Sequence, residues 1–228
     1  MKVKKFNATD KTNLNYLTYG NKNNPALIII HGWLGNSYIF DFLLNHLKEK
    51  YYCIFHDFRG HGQNLSIQNN MNLSQFSKDI NEIIKLEKIN ELFVVAHSMG
   101  ASVLWEYIKT FSEDKLKKVC IVDMTVKILT DENWPYGVFN NWTNELMNDF
   151  LTRLENDFLE GLVHYLSLAL HGEKNKNILR EKLNSYIPEN SAGLINLYKD
   201  IGLNDYRDVF KMMKTESLLI FGEKSQFY

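Results

Sequence analysis

The 228-residue sequence predicts an α/β fold: a mostly parallel, doubly wound sheet with helices on both faces and an inserted all-helical lid. Three observations carry that prediction. Short, continuously apolar runs alternate with longer segments of helical period, which is the pattern of buried parallel strands joined by crossover helices. Several of the runs end abruptly in histidine, glycine or aspartate, and open α/β sheets bind ligands beyond the carboxyl ends of their strands. From residue 127 to 213 only helical periods remain, after which "ESLLIFGEK" resumes the buried-strand pattern.

Element by element, "KVKKFN" and "NLNYLTY" form a hairpin across a turn at residues 8–11, and "ALIIIHG" is a strongly buried strand. A helix over residues 37–49 follows, then the strand "YYCIFHD", a helix over Leu73–Leu86 started by Ser74, and the strand "ELFVVAH". A helix over Met99–Phe111 and the strand "KKVCIVDM" complete the regular part. The organisation expected is a core at 1–126, a lid at 127–213 rich in aromatic residues, and a core that resumes at 214–228. The formal charge of −1, from 26 basic and 27 acidic residues, offers no general attraction to nucleic acid or to an anionic membrane surface. Cys53 and Cys120 each sit inside a β-branched or aromatic run, which reads as two buried free thiols and a reducing compartment. With no apolar leader at the amino terminus and no run near the ~20 apolar residues that span a bilayer, a cytoplasmic protein is expected.

Four strand ends carry unusual chemistry: "HGWLG" at 31–35, "HDFRGHG" at 56–62, "AHSMG" at 96–100, and Asp123 in "CIVDMT". In the third, a strand runs straight into a helix, so Ser98 stands at the apex of a sharp turn, with Ala96 and Gly100 small enough to let strand and helix crowd together. The helix start aims its free amides and positive dipole end at the same point, an arrangement suited to a developing oxyanion. The competing structural role for Ser98 is a helix N-cap, and for Asp123 a cap on the turn that leads into the lid. His97 neighbours the serine but points away on such a turn, while His31, His56 and His61 read as loop-shaping residues. Trp134, Tyr136, Phe139 and Trp142 are candidates to line an acyl pocket or to pack the lid.

"HGWLG", "DFRGHG" and "AHSMG", in this order and at these separations, resemble the α/β-hydrolase fold family, in particular its small-molecule carboxylesterase branch with a helical cap. "HGW" is similar to the oxyanion strand end of pimeloyl-carrier methyl ester esterases. The resemblance implies Ser98 as nucleophile, with the first small residue of the elbow changed from Gly to Ala96, and the amides of Trp33 and Met99 as the oxyanion hole. It implies no cofactor and no metal. The family's usual acid position after the seventh strand falls on Ser225, which cannot serve, so Asp123 after the sixth strand is the expected acid and Glu223 the reserve. The family's histidine follows an eighth strand, and the resemblance places it, with that strand and a closing helix, C-terminal to Tyr228. The function expected is a serine hydrolase cleaving a small carboxylic ester or thioester. The alternatives are a non-catalytic binding protein of hydrolase descent, or a lactonase, haloperoxidase-like or cofactor-free lyase activity on the same scaffold. The crowded lid predicts short acyl groups.

Overall fold

The computed structural model describes residues 1–169, 176–184 and 191–227. Its seven strands form one sheet: β1 (Lys2–Asn7), β2 (Asn13–Tyr19), β3 (Ala26–Ile30), β4 (Tyr52–Phe55), β5 (Leu92–His97), β6 (Leu116–Val122) and β7 (Glu216–Ile220), in the order β1-β2-β4-β3-β5-β6-β7. The hairpin pairs antiparallel, as does β2 with β4, and all other neighbours are parallel.

Strand β3 is buried along its whole length. Its alternation divides the core: Ile28 and Ile30 enter the larger cluster, while Leu27 and Ile29 enter a smaller one with Leu17, Phe40, Cys53 and Phe55. Helix α1 (Asp41–Leu47), preceded by a 3-10 turn at Ser37–Phe40, covers the smaller cluster, and α2 (Leu73–Leu86) and α3 (Met99–Phe111) are built into the larger one. Helix α2 starts differently from the sequence expectation. Asn72, in extended backbone, is the cap and accepts from the Gln75 N–H at 2.8 Å, leaving Ser74 inside the helix. Both cysteines are free; Cys53 is buried, whereas Cys120 is only half-buried.

Between β6 and β7 the regular elements are helices: α4 (Asn144–Asn156), α5 (Phe158–Ala169), α6 (Lys176–Asn184), α7 (Ala192–Leu203) and α8 (Arg207–Met212). Their apolar faces belong to the larger cluster, so lid and sheet share one core. A fully buried Arg59 ties the fourth strand's exit loop down. Its guanidinium bonds Asp79 of α2 at 2.8 and 2.9 Å and Asp10 of the hairpin turn at 2.5 and 3.0 Å. Strand β7 is an edge strand with exposed apolar side chains, Leu218 at 58% and Ile220 at 45%. Among the described residues no helix is long and apolar enough to cross a membrane.

Candidate active site

The parallel register pairs His97 with Val122, so the residues that follow, Ser98 and Asp123, leave the sheet side by side on adjacent strands about 4.8 Å apart. The Ser98 N–H donates to the Val122 carbonyl at 2.9 Å and the Asp123 N–H to the Ile220 carbonyl at 2.8 Å, which anchors both turns to the sheet. Both residues have positive φ, 57° at Asp123 and 52° at Ser98. At Ser98 the paired ψ of −126° lies outside every region favoured by an L-residue. Ser98 occupies the N-cap position of α3, yet its side chain makes no capping hydrogen bond. Capping therefore does not account for the residue. Such strain survives only where the surrounding structure imposes it, and it gathers at functional sites.

Two glycines allow the crowding that imposes it. A Cβ on Gly100 would stand 2.7 Å from the Ile30 carbonyl oxygen and 3.0 Å from that of His31. A Cβ on Gly32 would stand 2.9 Å from Ser98 Cβ and 3.3 Å from His97 Nδ1. The "HGWLG" loop is thereby pressed against the serine turn. Among the described residues neither the Trp33 nor the Met99 N–H has a backbone acceptor. For Met99 this is the expected state of the first residue of a helix.

Two buried histidines set the shape of that loop. His31 donates from Nδ1 to the Gly32 carbonyl at 2.8 Å and accepts the Phe58 N–H at Nε2. His61 donates from Nδ1 to the Arg59 carbonyl and accepts the Leu34 N–H at 3.1 Å. Burial lowers both rings to about pKa 3, so each stays neutral with one nitrogen free to accept. His97 lines the cavity described below, its ring edge-on to Phe40 and its Nδ1 buried without a hydrogen bond. Burial lowers its pKa, and the Asp123 carboxylate partly opposes that shift. Asp123 Oδ1 is likewise buried and without a hydrogen bond. Of the other histidines, His56 donates from Nδ1 to the Asn15 carbonyl at 3.1 Å, His46 and His164 lie on α1 and α5, and His171 falls outside the described residues.

Ser98, Met99, Trp33, His97 and Asp123 share the wall of one cavity of about 790 Å³. The rest of the wall is mostly apolar: Leu34, Asn36, Tyr38 and Ile39 come from the loop after β3, and Leu162, Tyr165, Leu166, Leu183, Tyr198 and Ile201 from the lid helices. Phe227 closes one side, held there because the Phe139 N–H donates to the Gln226 carbonyl at 2.7 Å. Glu223, the reserve acid, is exposed and does not line this cavity. The four lid aromatics singled out from sequence are not brought to it either. Trp134 and Tyr136 line a separate hollow of about 310 Å³ with Trp105, Phe210, Leu219 and Phe221. Phe139 and Trp142 stand behind the wall, 5.3 and 6.1 Å from the Tyr165 ring. The side chain of Trp33 carries a role that sequence reasoning missed: its Nε1 donates to the Leu194 carbonyl at 3.0 Å and its ring lies 4.9 Å from Tyr198, which fastens the loop to the lid. The spacing of Leu162, Tyr165 and Leu166 on one helical face was a usable signal, though ordinary core packing gives the same pattern.

With this geometry in view, comparison with known proteins gives a consistent picture. A family profile described as "alpha/beta hydrolase fold" matches residues 25–227. Epoxide hydrolase 1 of Caenorhabditis elegans is 30% identical over 114 residues, which are 48% of this chain and 28% of that protein. A serine hydrolase-like protein of Homo sapiens is 28% identical over 116 residues, 50% of this chain and 57% of that one. The matched stretch thus spans less than two thirds of either relative. Among solved structures, the esterase EaEST from Exiguobacterium antarcticum superposes with a TM-score of 0.82 at 21% identity, over 98% of this chain and 82% of that chain. At that identity the likeness concerns the fold.

Proposed function

Because the chain belongs to the alpha/beta hydrolase fold family, we propose that it is a serine hydrolase that cleaves a small carboxylic ester or thioester through an acyl-enzyme on Ser98. The observation that carries this reading is the strained, uncapped serine at the amino end of α3, standing in the wall of a cavity with Asp123 on the next strand. In the proposed reaction Ser98 Oγ attacks the acyl carbon and its proton passes to an imidazole-type base oriented by Asp123. The Trp33 and Met99 amides receive the charge that develops on the carbonyl oxygen, where fixed dipoles act without reorganising. The base then protonates the departing alcohol or thiol. Water, deprotonated by the same base, attacks the acyl carbon and releases the acid and the serine.

One observation favours a second reading, a binding protein of hydrolase descent. Among the described histidines only His97 lines the cavity, and its neighbour Phe40 and the Gly32 loop hold it against the scaffold. Labelling with a fluorophosphonate separates the two readings, since the probe reacts only with an activated serine. Labelling of the protein expressed from its complete reading frame, lost in Ser98→Ala, is expected. An unlabelled wild-type protein, or label retained in Ser98→Ala, would reject the assignment.

A further inference from the structure

The cavity reaches well beyond the reacting atoms, and its lining indicates what fills it. Apart from Asp123, beside the serine, no described residue in its wall carries a charge, and neither lysine nor arginine is among them. The part under the lid is closed by Leu162 and Leu166, one turn apart on α5, with Leu183 of α6 and Ile201 of α7. At about 790 Å³ the space falls within the range that encloses a drug-sized ligand, several times the need of an acetyl group. The bulky aromatics that predict short acyl groups do not shrink it, since Trp134 and Tyr136 point their bulk at another hollow and Phe139 and Trp142 stand behind the wall.

We infer that the site takes uncharged, apolar acyl groups of medium length and rejects chains that end in a carboxylate, with Leu162, Leu166 and Leu183 as the residues that set this selectivity. The inference rests on the serine hydrolase reading for the placement of the acyl carbon, but it concerns the cavity and can be tested without turnover. An apolar chain laid along these leucines gains burial with each methylene, about fourfold in affinity. A terminal carboxylate in the same place loses its hydration and meets no cation among the described lining residues, and an unpaired buried charge is strongly disfavoured.

The test is calorimetric titration of the full chain carrying Ser98→Ala, which prevents consumption of the ligand, with ethyl acetate, ethyl butyrate, ethyl hexanoate and ethyl octanoate. Monoethyl suberate, of the same chain length as the octanoate but ending in a carboxylate, is the paired comparison. Affinity rising about fourfold per methylene, with the suberate at least about a hundredfold weaker than the octanoate, is expected. Equal binding of octanoate and suberate, or affinity that stops rising at butyrate, would overturn the inference. In Leu166→Arg the octanoate–suberate gap should narrow at least tenfold, with a thermal melt to confirm folding; an unchanged gap in a folded variant would remove Leu166 from the selectivity set. Should Leu166→Arg not fold, the ester series with Ser98→Ala still decides. Failure of the parent reading shows elsewhere, as absent fluorophosphonate labelling of the wild-type chain whatever the ester series gives.

Discussion

Replacing Ser98 by glycine should make the protein more stable while removing its proposed chemistry. At φ 52° and ψ −126° the residue occupies backbone space that costs an L-amino acid about 1–3 kcal/mol. Glycine enters that space without a Cβ clash and so recovers the strain. Against this stands the extra freedom of glycine in the unfolded chain, about 0.5–1 kcal/mol. The hydroxyl itself caps nothing, so its loss subtracts little. The net gain is about 1 kcal/mol, or about 2–4 °C in melting temperature for a chain of this size. Ser98→Ala is the control: it keeps the Cβ, keeps the strain, and should melt within about 1–2 °C of the wild type. Thermal melts of the three proteins at one pH, followed by circular dichroism, provide the comparison. Ser98→Gly melting at or below Ser98→Ala would show that the turn is not strained by its side chain, and the argument that function alone keeps a serine there would fail.

Gly100→Ala drives a Cβ to 2.7 Å from the Ile30 carbonyl oxygen, a contact only backbone movement can relieve, so a loss of about 1–3 kcal/mol by urea unfolding and at least tenfold slower fluorophosphonate labelling are expected. His97→Asn should slow labelling less than about tenfold, because its ring is packed between Phe40 and the Gly32 loop; loss approaching the millionfold drop of a missing base would make His97 the base instead. Arg59→Met leaves Asp79 buried without its charge partner and should lower the unfolding free energy by about 3–5 kcal/mol, read from the urea midpoint; a change under about 1 kcal/mol would contradict the pairing. Acid should loosen the "HGWLG" loop. The unfolded chain protonates His31 and His61 from about pH 6.5 downward while the folded protein resists until about pH 3, so their contribution is complete above pH 6.5 and is lost as the pH falls across that window. The slope is up to about 1.4 kcal/mol per pH unit for each ring. Urea midpoints that stay level from pH 7 to pH 4.5 would refute it.

What could be learned from the sequence alone was whatever depends on neighbours along the chain. The strands and most helices were legible because burial on both faces leaves continuous apolar runs such as "ALIII", and helices leave a 3.6-residue period. The turn at Ser98 was legible too, since small residues on either side of a strand–helix junction have few other uses. Even there, local signals misplaced the start of α2, where Asn72 and Ser74 are both good caps and only the chain's entry angle chooses between them. The acid was open between Asp123 and Glu223. Parallel register decided which of them stands in the cavity wall with Ser98, because pairing between β5 and β6 is a long-range choice that no window of sequence contains. The pocket was the least legible part. A bulky lid side chain reads the same in the sequence whether it meets core, cavity or solvent, so Trp134 and Tyr136 could be singled out while Tyr165 and Tyr198, which line the cavity, were not. Only the packing of the lid over the sheet, which leaves space under α5, α6 and α7 and closes it around Phe139 and Trp142, separates the residues that face a substrate from those that hold the wall in place.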